Sequence, residues 1–130
     1  MIVGVLQVAA GIKAALDPHF GIVYRLPPAQ TEASSATVVP TGGSPESRSA
    51  AALKFDVVLV ANLADFEAAL AWLADGIGLV SDALTADPTC GGTCTGIRVA
   101  SWGEFYLATI GGGADALAVR ITLSETNPTE

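Results

Sequence analysis

Cations are what this sequence has least of. Two lysines (Lys13 and Lys54) and four arginines stand against thirteen acids, for a net charge of −7 over 130 residues. Holding a nucleic-acid backbone takes clustered cations that displace phosphate counterions, so that role is excluded. An acidic surface suits solubility, or a duct along which a polyanion slides without sticking. Histidine is scarcer still. His19 is the only one, so a Ser-His-Asp arrangement has a single candidate base, placed in a turn between a helix and a strand. Long apolar runs are missing too. "MIVGVLQVAAGIKAAL" is too short to span a bilayer, has no positive residue before its apolar stretch, and runs into "DPHF" rather than a small-residue cleavage site. Neither a signal peptide nor a membrane partner is expected.

What is present reads as one domain over residues 1–130, since half the residues are apolar and the length suffices for a core without staples. A first helix is expected from about Ile2 to Leu16, with Ile2, Leu6, Ala9, Ile12 or Lys13, and Leu16 near one face. A short strand, Gly21–Leu26, is ended by Pro27-Pro28. From about residue 28 to residue 51 the chain is rich in Ser, Thr, Gly, Pro and Ala, which predicts a long loop with at most a short edge strand over Ala36–Val39. "ALKFDVVLVAN" is the clearest strand, with Leu53, Phe55, Val57 and Leu59 facing one way, and it reads as central.

Phe66, Leu70, Leu73, Ile77, Val80 and Leu84 then form a helical stripe. Asn62 is its expected N-cap, Asp65 the capping-box acid, and the helix stops near Ala86. Gly76 and Gly78 inside it suggest close packing or a bend. Three strands follow, Thr95–Trp102, Glu104–Ile110 and Ala116–Ser124, the last two joined by a turn at "GGGAD". The expected class is α+β: an antiparallel or mixed sheet of four to five strands with two helices packed on one face.

The one stretch that hints at chemistry is "DPTCGGTCTGIRV". Cys90 and Cys94 with His19 fall short of a zinc ligand set, and a strand rather than a helix follows the pair, unlike a thioredoxin-type site. A Cys90–Cys94 disulfide across a three-residue turn stays open, although so small a loop gains little from closure. The preferred reading is two half-buried thiols beside a corner. Ser34, Ser35, Ser44, Ser47 and Ser49 lie in the polar segment without a nucleophile elbow, and "GGGAD" lacks the Lys-Ser/Thr of a phosphate loop. No catalytic, cofactor-binding or metal-binding residue is assigned. Polar and aromatic residues that suit a subunit interface are Glu46 and Arg48 in the loop, and Trp102, Glu104 and Tyr106 among the late strands.

The order of elements, with "YRLPPAQ", "LKFDVVLVAN", "DALTADPTCGGTCTGIRVAS" and "LAVRITLSE" at its landmarks, resembles the tail terminator proteins of long-tailed bacteriophages, the minor tail protein U-like family. The "RLP" strand end and the "DPT…GG…IRV" corner are its most specific points. The resemblance implies a non-enzymatic virion protein with no cofactor, acting in viral tail assembly. It would form a homo-hexameric ring that caps the tail tube protein, stops its polymerisation and docks onto the head–tail connector or head completion protein. DNA would pass through the lumen without specific binding. The location implied is the tail–head junction of the virion, with the host cytoplasm during assembly. In that family the positions matching Cys90 and Cys94 are commonly plain apolar residues. The alternatives are another neck component, or a small bacterial ligand-binding domain marked by a deep pocket between sheet and helices.

Overall fold

The computed structural model describes residues 4–28, 33–45 and 51–128. Along the chain lie α1 (Val5–Leu16), β1 (Ile22–Tyr24), β2 (Ser35–Pro45), β3 (Ala51–Asn62), α2 (Phe66–Ala86), β4 (Val99–Trp102), β5 (Tyr106–Thr109), a short 3₁₀ turn (Gly111–Gly113) and β6 (Asp115–Leu123). The strands form one six-stranded sheet in the order β1-β2-β3-β6-β4, with β5 also paired to β6. β1 runs parallel to β2 and every other pairing is antiparallel. The class is α+β, with more strands than composition suggested.

Both helices lie on one face. Val8, Ile12 and Leu16 of α1 and Leu73, Val80 and Leu84 of α2 share a buried cluster with Phe55, Val57 and Leu59 of β3 and Val119, Ile121 and Leu123 of β6. Alternation dictates this, because residues two apart on a strand share a face. On the opposite face Val60, Ala116 and Ala118 make a smaller cluster, with Val58, Ala108 and Ile110 packed against it. α2, with 21 residues, is long and apolar enough to cross a membrane by those measures. Here its Leu73, Val80 and Leu84 pack into the core.

The segment expected to be a loop is largely a strand. β2 takes residues 35–45 and sits between β1 and β3, so it is not at an edge. Its first half alternates after all, with Ala36 and Val38 buried beneath the helices. Its second half, "TGGSP", has little side chain to bury and is held by main-chain pairing with β3 (Gly42↔Lys54, Gly43↔Leu53), past an irregularity at Pro40–Gly42. A side chain at Gly43 would collide with the Ala52 carbonyl. Strand formation here is imposed by the partner rather than by intrinsic propensity.

Smaller differences have local causes. The α2 N-cap is Asp65, whose carboxylate accepts the Glu67 N–H at 3.0 Å, and not Asn62, which still belongs to β3. Leu6 and Phe66, expected on the buried stripes, are exposed. Both lie in a first helical turn, on the side turned away from the neighbours that reach the core, Val5 and Val8 in α1 and Ala69 in α2.

Candidate functional site

The corner after α2 is built by hydrogen bonds that leave little for chemistry. Asp87 caps the helix and accepts the Gly91 N–H on both carboxylate oxygens, at 3.0 and 3.2 Å. The Thr89 carbonyl accepts from the N–H groups of Gly92, Thr93 and Cys94, and the Pro88 carbonyl accepts from Ile97 at 2.8 Å. Thr93 Oγ1 donates to the Cys90 carbonyl at 2.9 Å. The C-terminal segment closes over the corner, with Thr95 N–H donating to the Asn127 carbonyl and Cys94 bridging to Pro128. α1 packs against the same corner: a Cβ at Gly11 would sit 2.5 Å from the Cys90 carbonyl oxygen, and closer still to Thr93 Oγ1.

The two cysteines are free thiols, and they are buried rather than half-buried. Burial pushes the Cys90 thiol up to about 12, with Cys94 and the Asp87 carboxylate adding to the rise. A nucleophile or metal ligand needs the thiolate, which this environment withholds. The corner joins α1, α2 and the C-terminal segment.

The predicted interface residues fall in two groups. Glu46 and Arg48 lie outside the described residues. Trp102, Glu104 and Tyr106 are brought together along one sheet edge. β4 and β5 pair end to end along the same side of β6 (Trp102↔Ile121, Tyr106↔Ala118), and the ladder is interrupted over Gly103–Phe105. Glu104 sits exposed in that interruption. Trp102 is 53% exposed and lies against Phe105 with ring centroids 5.8 Å apart, while Tyr106 is 40% exposed. Leu107 is 71% exposed. It is paired with Leu117, but β5 lies at the rim of the sheet.

A cleft of about 490 Å³ lies beside the other sheet edge, lined by His19, Phe20 and Ile22 near β1, by Ser34, and by Trp72 and Asp75 of α2. Phe20 and Trp72 meet edge to face there, 6.0 Å between centroids. A second cleft, about 540 Å³, lies between α1 and the Cys90–Thr93 corner. Among the described residues no three His, Cys, Asp or Glu side chains gather as a metal site would require. No protein-family model and no curated protein matches the chain.

Proposed function

We propose that this chain is a structural subunit of the tail-terminator kind, which assembles into a ring at the end of a phage tail tube. The observation that carries the reading is the β4–β5 edge. Trp102, Tyr106 and Leu107 are exposed on an edge with no strand beyond it among the described residues, and apolar side chains on an open edge call for a protein partner. The order of elements resembles that family, and the net charge of −7 suits a lumen that passes DNA. In this role the ring stops tube polymerisation and offers its far side to the head connector, without a catalytic step or a cofactor.

The test is electron microscopy of particles made without the protein. Tubes of uncontrolled length with few joined heads are expected. Normal head-joined tails in its absence would sink the assignment. Defective joining with tails of normal length would point to another neck component instead. The cleft beside β1 supports a second reading, a small-ligand-binding domain, since its size falls within the range of ligand sites.

A further inference from the structure

We infer that the two sheet edges left open among the described residues mate head to tail between copies of this chain, the Trp102–Leu107 edge of one subunit seating in the cleft beside β1 of the next. The inference deepens the ring reading by naming its contact. Four observations support it.

The first concerns the donor edge. Proteins blunt open edges with lysine, proline or short strands. β4 and β5 are short, four residues each, with an irregularity at Val99–Ser101 and Glu104 exposed between them, but from Ser101 to Thr109 there is no lysine and no proline, and the exposed large apolar side chains are Trp102, Tyr106 and Leu107. The second concerns the acceptor. The opposite edge, β1, is three residues long and is followed by Pro27-Pro28. The apolar floor of its cleft is the Phe20–Trp72 pair, and His19, Ser34 and Asp75 are exposed at the mouth. An indole entering it brings an N–H that can only donate, and Asp75 accepts.

The third is charge. Lys13 pairs with Asp17, Lys54 with Glu125 and Arg120 with Asp56. Arg25, exposed one residue past β1, has no ion-pair partner among the described residues, and neither do Arg98, one residue before β4, and Glu104 on the donor edge. Head-to-tail mating sets one unpaired cation, Arg25, against one unpaired acid, Glu104. The fourth is symmetry. A two-fold contact through one edge alone would not bring Arg25, beside β1, to Glu104, between β4 and β5. Edges at opposite ends of the strand order instead give a heterologous contact, which closes into a ring when its rotation allows.

The experiment is sedimentation of the full chain from about 1 μM to about 1 mM, a span that covers weak to moderate contacts. The wild type is compared with L107D, E104R, R25E and the charge-exchanged double variant. All four change exposed side chains, and thermal unfolding confirms that each is folded. Assembly is expected in the wild type. L107D should need about tenfold more protein, and each charge reversal about fivefold more. The double variant should recover most of that loss. A second arm mixes E104C with R25C under mild oxidation, and a cross-linked pair is expected from the mixture but not from either variant alone.

Wild-type assembly that the single variants leave unchanged, or a double variant no better than the worse single, overturns this contact and leaves the ring reading standing. A wild type that stays monomeric throughout, with no cross-link in the mixture, also overturns it, and tail length in the deletion strain then decides the terminator reading independently.

Discussion

Asp56 and Arg120 meet across the β3–β6 ladder with 2.8 Å between carboxylate and guanidinium, the acid buried and the base half in water. Removing the arginine strands the carboxylate on the outer face of the sheet. R120A is expected to cost about 1–3 kcal/mol, the worth of a hydrogen bond to a charged group. Pairing it with D56V should return most of that loss, and urea unfolding of the three variants checks it. Cys90 supplies a pH dependence. Its thiol is raised from 9.0 to about 12 by burial, so between those values the unfolded chain has lost a proton that the folded chain keeps. Stability is therefore intact below pH 9 and falls as pH rises toward about 12, by at most about 1.4 kcal/mol per unit. C90A should lose that slope, at a cost of about 1–2 kcal/mol at neutral pH. C90V should be worse by about 1 kcal/mol, because Cys90 sits at φ +48°, where a β-branched side chain is strained.

Elements are held together at glycines, and three of them separate packing from propensity. Gly11 brings α1 against the backbone of the Cys90 corner, so G11A must move main chain. It is expected to destabilise by about 2–3 kcal/mol despite alanine's better helix propensity. At Gly76 the obstacle is a methyl of Leu59 at 2.7 Å, the end of a rotatable side chain, and at Gly78 there is open space. G76A should be near neutral and G78A stabilising by about 1 kcal/mol. Thermal melts of the three give the ranking. These contacts also show where the sequence was legible. β3 and the core of α2 were readable from periodicity, because each buries one regular stripe. β2 was readable only over Ala36–Val39, as a short edge strand; its second half was not, since "TGGSP" carries no apolar signal and is a strand only because β3 offers it a ladder. The exposed β4–β5 edge was half legible. Trp102, Glu104 and Tyr106 stand out as polar and aromatic types, but Leu107 obeys the same alternation as a core residue. Only its place at the rim distinguishes it. Nothing in the spacing of the cysteines told burial from half-burial, because that depends on α1 and the C-terminal segment closing over them.

At the scale of the whole molecule the charge of −7 works against assembly, and magnitudes decide how salt acts. Two globules of this size touch with centres roughly 35 Å apart. Their unscreened repulsion in water is then about 6 kcal/mol. At about 0.01 M salt, with a Debye length near 30 Å, roughly 2 kcal/mol of it survives, and at about 0.15 M, with a length near 8 Å, less than about 0.1. An exposed Arg25–Glu104 pair is worth at most about 1 kcal/mol and weakens over the same range. Relief of repulsion therefore wins. Self-association should strengthen by roughly fivefold to tenfold between those salts, as sedimentation across the two buffers will show. Weakening instead would mean that local ion pairs dominate the contact. The same field acts on DNA, whose phosphates meet an acidic surface with few free cations. No retardation of duplex DNA is expected in a gel-shift titration at about 0.15 M salt, where phosphate-binding proteins still hold nonspecific DNA with dissociation constants of about 10⁻⁴–10⁻⁶ M. A retarded band that disappears as salt rises would reveal a cationic face and overturn the proposal of a non-adhesive lumen.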